Sequence, residues 1–185
     1  EHYGVTPDLA TFGKAIANGY ALAAVAGKES IMASQYDNFI SSTYYSDTVS
    51  LAAGVAVLHE LRTKPVLETL DKTGQQLTDG ITALAGKHKL YVEVEGHLNL
   101  FHLAFGYGDQ NGKIDTLYMQ EMVSRGVYCV GAWYICYTHT QQDVDKILAA
   151  TDDVFGVLAK GIEQNKVDDM LRAPVREVVF KKRLV

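Results

Sequence analysis

Thr6-Pro7-Asp8-Leu9-Ala10-Thr11-Phe12-Gly13-Lys14-Ala15-Ile16-Ala17-Asn18-Gly19 sets one lysine between small residues at a strand-to-helix corner. Pro7 holds the residue before it in extended geometry, residues 9–12 form a short apolar run, and Gly13 and Gly19 let backbone approach a bound group. Lys14 is therefore the candidate catalytic residue. An ordinary lysine has a pKa near ~10.4 and is protonated at neutral pH, but burial or a cationic neighbour lowers that value and frees the lone pair to attack a carbonyl. Without such surroundings a lysine is a solvated surface group, so the reading expects a buried amine at this corner.

Outward from the lysine, residues 20–27 are an apolar run with β-favouring Val25 and read as a buried strand beside the lysine strand. Residues 28–36 mix charge with Ile31 and Met32 and read as a short surface helix. Ser41-Ser42-Thr43-Tyr44-Tyr45-Ser46-Asp47 is a hydroxyl-rich loop, followed over residues 49–61 by a helix whose Ala52, Ala53, Gly54 and Ala56 suit tight packing. Hydroxyls and backbone N–H groups in such a loop donate hydrogen bonds to phosphate oxygens, and the acceptor's charge strengthens each one. The same residues also make an ordinary helix start, since Ser46 or Asp47 is a good N-cap for a helix beginning near Thr48.

Residues 65–87 carry Val66, Leu67, Leu70, Leu77, Ile81 and Leu84 at helical spacing behind Pro65, which predicts a long amphipathic helix. Residues 90–95 alternate as a strand and residues 98–105 continue as a second, with Gly96 at the bend. His102 falls in that alternation and reads as a hydrogen-bonded structural histidine. Asp109-Gln110-Asn111-Gly112 hints at calcium, but its glycine comes too early for an EF-hand loop. Residues 114–125 predict a helix with Leu117, Met122 and Val123 inward, ended by Gly126. Residues 127–130 and 134–137 read as strands around Gly131. Thr140-Gln141-Gln142-Asp143 then reads as a capping box opening a long helix with Val144, Ile147, Leu148, Val154, Phe155 and Leu158 as its apolar stripe.

With 185 residues and 48% hydrophobic content, the chain can bury one sizeable core or two small ones. A net charge of -5 without a basic run argues against nucleic acid as a partner. Arg172, Arg176, Lys181, Lys182 and Arg183 gather near the end, but they alternate with Val175, Val178, Val179 and Phe180 and read as an edge strand or a docked tail. Cys129 and Cys136 have no histidine or cysteine at ligand spacing, so neither a metal site nor a disulfide is expected, and reduced thiols fit. No apolar run reaches the roughly 18 residues of a membrane helix and no signal peptide is visible, so a soluble cytoplasmic protein is expected. Glu1-His2-Tyr3-Gly4-Val5 lacks an initiator Met and reads as a loop leading into a strand, which points to a piece of a longer protein.

The segment from Thr6-Pro7-Asp8-Leu9 through Gly13-Lys14 to Gly19, with Val25-Ala26-Gly27-Lys28-Glu29-Ser30-Ile31-Met32 after it, resembles the lysine segment of the class III pyridoxal-phosphate aminotransferases. It is most similar to the branch that includes the glutamate-1-semialdehyde aminomutases. Ser42-Thr43, Ser46-Asp47 and Leu51-Ala52-Ala53-Gly54 are similar to that family's Gly-Thr-x-Ser-Gly-Asn-Pro-x-Ala-x-Ala-Ala-Gly, with Thr43 on the family threonine. Gly126-Val127-Tyr128 and Thr138-His139-Thr140 match two further landmarks, and the resemblance runs to about residue 160. The chain departs from the pattern at Ala17-Asn18-Gly19-Tyr20-Ala21, where the family has more glycines and a proline, and at Ser42 and Thr48, which replace a glycine and a proline.

The resemblance implies an α/β protein of fold type I, with residues 1–60 the end of the large cofactor domain and residues 61–185 the small C-terminal α+β domain. It implies pyridoxal 5'-phosphate as cofactor, held by Lys14 as an internal aldimine, with Ser42 and Thr43 as further cofactor-binding residues. Thr43 would reach the phosphate of a partner's cofactor, so a homodimer with shared sites is implied. The substrates implied are a small-molecule amino donor and an oxo acceptor, with no nucleic acid or membrane partner. Between Val130 and Thr138 the chain is shorter than the aminomutase pattern and lacks its acidic segment, which favours an intermolecular aminotransferase over a mutase. In the family pattern the aspartate on the pyridine nitrogen, the stacking aromatic and a phosphate turn all come before Glu1, so these 185 residues alone are expected to be inactive. The rival reading is a non-catalytic α/β module that keeps the fold as a partner-binding surface.

Overall fold

Two short extended runs flank the lysine. In the computed structural model, which describes residues 3–129 and 131–177, β1 (Leu9–Phe12) and β2 (Ala24–Gly27) pair antiparallel with Leu9 opposite Gly27 and Phe12 opposite Ala24. α1 (Glu29–Met32) and a 3-10 turn over Ala33–Asp37 follow, as the mixed charge of that stretch implies. The hydroxyl-rich loop then leads into α2 (Thr48–Thr63). Its start is set by Asp47, whose carboxylate accepts from the Val49 N–H at 3.2 Å, an N–H that the first helical turn leaves without a partner, and from the Ser50 hydroxyl at 2.6 Å.

These elements belong to the first of two compact units, Glu1–Val66 and Leu67–Val185. Among its described residues only Ala17, Ser50, Gly54 and Val66 are buried. The expected buried strand over residues 20–27 is thus corrected: the ladder covers Ala24–Gly27 alone, in a two-stranded ribbon, and Val25 is 54% exposed among the described residues. The tight packing expected of α2 holds on one side only, since Val49, Leu51, Val55, Leu58 and Leu61 face outward.

The second unit is organised by burial. α3 (Val66–Lys87) begins at the division, and β3 (Val92–His97) and β4 (Leu100–Phe105) form a hairpin. After α4 (Asn111–Ser124), β5 (Trp133–Tyr134) pairs antiparallel with β4, giving the order β3-β4-β5. α5 (Gln141–Glu163) and the short α6 (Val167–Met170) complete it. The apolar stripes of the three long helices supply Leu77, Ile81, Ile114, Leu117, Met122, Val154, Phe155 and Leu158, which close over Phe101 and Phe105 of β4 and Trp133 of β5 in one core. Each such side chain contributes roughly 1.5–3 kcal/mol relative to exposure, so this unit carries most of the hydrophobic stabilisation. Residues 171–177 dock on α4 as the tail reading expects, with Arg172 N–H to Gln120 Oε1 at 2.7 Å and the Arg176 guanidinium to Asp115 Oδ2 at 2.8 Å. Val178, Val179, Phe180, Lys181, Lys182 and Arg183 lie outside the described residues.

Four local expectations in this unit need correction. The strand expected over residues 127–130 is absent over its described part, and Val130 lies outside the described residues. The Val127 N–H goes instead to Met122 O at 3.1 Å and the Gly126 N–H to Val123 O at 2.9 Å, a Schellman closure of α4 made possible by Gly126 at φ 74. The strand expected over residues 134–137 shrinks to Trp133–Tyr134, because the Cys136 N–H is taken by His139 Nδ1 at 3.1 Å and the chain turns. Val123 is 51% exposed, one residue out of phase with the buried Ile114, Leu117, Tyr118 and Met122 face. The hairpin bend lies at Leu98 and Asn99, since β3 runs through Gly96 to pair His97 with Leu100. No helix among the described residues is long and apolar enough to cross a membrane.

Candidate active site

β1 ends at Phe12, and the extended Gly13 delivers the chain into a 3-10 turn over Lys14–Ile16. Lys14 itself has φ 51, in the left-handed region that L side chains seldom adopt, and Asn18 follows at φ 46. Such residues cost about 1–3 kcal/mol each and gather where a site constrains the backbone. Three turn bonds hold the segment: Ile16 N–H to Gly13 O, Asn18 N–H to Ala15 O and Tyr20 N–H to Ala17 O, at 3.2–3.3 Å. Ala17 is 1% exposed and anchors the turn. α2 buttresses it from behind, where Gly54 lies so close that a Cβ there would meet Leu22 Cδ2 at 2.6 Å and Ile16 O at 3.7 Å.

The expectation of a buried amine is corrected: Lys14 is exposed. It lines an open hollow of about 510 Å³ with Ala15, Asn18, Gly19, Tyr20 and Ala21. A Cβ built at Gly13 or Gly19 would meet nothing within 4 Å, so there is open space on both sides of the lysine. The amine makes no hydrogen bond or ion pair among the described residues, which leaves it available for a covalent bond.

Ser42 and Thr43 lie in the turn before α2, held by the Tyr45 N–H to Ser42 O and the Asp47 N–H to Tyr44 O, both at 3.2 Å. Both side chains are exposed. Ser42 lines a second, larger hollow of about 1010 Å³ with apolar walls that include Leu9, Ala24, Ile31, Tyr44 and Leu51. The two hollows share Ala21, so Lys14 and the Ser42 loop open onto adjoining space without touching. The donor set, an unpaired amine and two exposed hydroxyls, fits a group with a carbonyl and a phosphate. His102 is a surface pair with Glu95 across the hairpin, Nε2 to Oε2 at 3.0 Å, as a structural reading expects.

Sequence reasoning missed a third hollow, of about 530 Å³ and lying wholly in the second unit, lined by Tyr128, Trp133, His139 and Lys146 among others. Two of its walls were marked by Gly126-Val127-Tyr128 and Thr138-His139-Thr140. Lys146 could have been added from its spacing, three residues beyond Asp143 on the same face of α5.

The profile of the family described as aminotransferase class-III matches residues 1–149. An aminopentol aminotransferase of Sphingopyxis macrogoltabida is 29% identical over 161 residues, covering 86% of this chain and 38% of that protein. A glutamate-1-semialdehyde 2,1-aminomutase of Nitrosomonas europaea is 27% identical over 170 residues, covering 83% and 39%. The FumI protein of Sphingopyxis sp. MTA144, solved as the internal aldimine form with pyridoxal phosphate, superposes with a TM-score of 0.80 at 27% identity over 92% of this chain and 42% of that one. This chain spans about two-fifths of the length of these relatives.

Proposed function

The chain belongs to the class-III aminotransferase family, and from that premise we propose that the whole protein transfers an amino group from a small-molecule donor to an oxo acceptor, with pyridoxal 5'-phosphate as cofactor and Lys14 as the residue that carries it. One observation supports this most: Lys14 is held at φ 51 just beyond the end of β1, its amine without a partner among the described residues and flanked by open space. When bound, the cofactor supplies an aldehyde for attachment to an amine and a conjugated ring that accepts electrons from the substrate.

The rest falls to this chain's residues. Lys14 would hold the cofactor, and its Nζ would take up and return one proton, as base and then acid. The 3-10 turn aims it, and α2 keeps the turn from sliding because Gly54 lets the helix sit against Ile16 and Leu22. Ser42 and Thr43 donate hydroxyls to the phosphate, and Asp47 fixes where their loop ends. In our reading Thr43 serves a partner's cofactor across a homodimer interface. The outward Tyr44, Tyr45, Val49 and Leu51 support it, since contiguous apolar groups of this kind mark a surface that is covered in the assembled protein. Residues 131–138 carry no acidic side chain, which supports transfer between two molecules over an internal shift.

The test is chemical. Borohydride reduction of the holoprotein followed by peptide mass spectrometry should find a pyridoxyl group on Lys14. A pyridoxyl group confined to other lysines, or a colourless protein that is not labelled, overturns the assignment and favours the binding-module reading.

A further inference from the structure

We propose that Asn18-Gly19 is a self-modifying site, at which the chain loses ammonia, takes up water and lengthens its own backbone in the turn that carries Lys14. The sequence holds two Asn-Gly pairs, Asn18-Gly19 and Asn111-Gly112. In such a pair no side chain on the second residue screens its backbone nitrogen from the asparagine side-chain carbonyl. That nitrogen attacks Cγ, the side-chain amide leaves as ammonia with the proton the nitrogen gives up, and the new N–Cγ bond closes a cyclic imide. Water then opens the imide at either carbonyl, leaving an aspartate or an isoaspartate whose chain runs through the side-chain carbons. The conversion consumes water alone and needs no oxidant or reductant.

The structure tells the two pairs apart. Asn18 is exposed at φ 46 and Gly19 at φ 109, and a Cβ at Gly19 would meet nothing within 4 Å, so the pair stands in open space. Neither the Asn18 side chain nor the Gly19 N–H has a hydrogen-bond partner among the described residues, so no such bond must break before the ring closes. Asn111 instead opens α4 at φ -52 and ψ -45, and its Oδ1 accepts the Tyr107 N–H at 2.7 Å. The docked tail covers its neighbour, since a Cβ at Gly112 would meet Val175 Cγ1 at 3.4 Å. Its ring closes only after the Tyr107 bond breaks and the first turn of α4 opens. At residue 18 the outcome is set by the bond from the Tyr20 N–H to Ala17 O, 3.2 Å, which encloses residues 18 and 19. An isoaspartate adds a methylene to the chain inside that closed turn and so releases it, and with it the segment that seats Lys14. Neither step depends on what Lys14 does.

The test follows the whole protein through storage in warm, mildly alkaline buffer. Peptide mass spectrometry reads each Asn-Gly pair, with an isoaspartyl methyltransferase to mark isoaspartate. In the folded protein Asn18 should convert about tenfold faster than Asn111 or more, because Asn111 waits on a lost hydrogen bond and a local opening. In urea the two rates should converge. Amide hydrogen exchange at Tyr20 should quicken in the isoaspartate fraction. Asn18→Gly, a residue type that φ 46 suits, should fold as the parent does and release correspondingly less ammonia. Equal rates for the two pairs in the folded protein, an Asn18 that stays intact while the unfolded chain converts, or unchanged exchange at Tyr20 in the isoaspartate fraction would overturn the proposal.

Discussion

Lys14 and Thr43 are the side chains on which the proposed chemistry turns, and each yields a measurable consequence. Lys14→Ala in the whole protein should lower turnover at least ~10²-fold, the usual worth of a positioned acid-base group. A variant that keeps its rate would end the reading. Thr43→Ala should weaken phosphate retention by roughly 1.5–3 kcal/mol, the cost of one hydrogen bond to a charged group, read as the cofactor's dissociation constant. The cysteines give a contrast set chiefly by burial. Cys129 is 4% exposed, and burial, with the nearby Asp115 charge, pushes its thiol up to about 12. Cys136 is exposed. Iodoacetamide at mildly alkaline pH should therefore alkylate Cys136 and spare Cys129 until the protein is unfolded. At this scale the identity of the candidate lysine was legible from its glycine and proline neighbours, whereas its exposure was not.

At the scale of elements, α3 and α5 are tied where Asp152 meets both Lys87, at 2.7 Å, and His88, at 2.6 Å. Hydrogen bonds from Lys87 first, and His88 next, hold the Asp152 carboxyl below its ordinary value. A carboxylate depressed on folding stabilises the protein fully above its unfolded pKa of ~3.9, and that contribution is lost as pH falls through the lower folded value. Asp152→Asn should accordingly reduce stability at neutral pH and flatten the decline below pH ~4, followed by denaturant titration at several pH values. A variant with the same acid limb as the parent would assign that limb to other groups. Elements specified by their own neighbours were the ones legible in sequence. Thr140 and Asp143 form the capping box that opens α5, and the period of Leu77, Ile81 and Leu84 runs through α3. The strands expected over residues 127–130 and 134–137 failed because the N–H groups of Val127 and Cys136 find local acceptors in Met122 and His139, competition that a strand-like run of side chains does not reveal.

On the scale of the whole molecule, the two units differ in what holds them together. Residues 67–177 enclose a continuous core from Leu77 to Val167, whereas the described residues of the first unit bury four side chains or backbone sites and leave Phe12, Phe39, Tyr44, Val55 and Leu58 outward. Residues 67–177 produced alone should unfold in one cooperative transition with a near-ultraviolet signal from Trp133, while residues 3–66 alone should show none. Cooperative folding of the smaller piece would mean that its outward apolar groups find partners among themselves. The sequence by itself determined the family, the α/β character and the long helices, and it marked a candidate lysine and hydroxyl loop, because motifs, caps and helical periods are written in residues close along the chain. Only the tertiary structure decided that Lys14 stands exposed on a left-handed turn, that α2 braces that turn through Gly54, and that Trp133, His139 and Lys146 share a hollow. Those facts depend on which backbone groups find partners and which surfaces are covered, and both are settled by contacts between segments far apart in sequence.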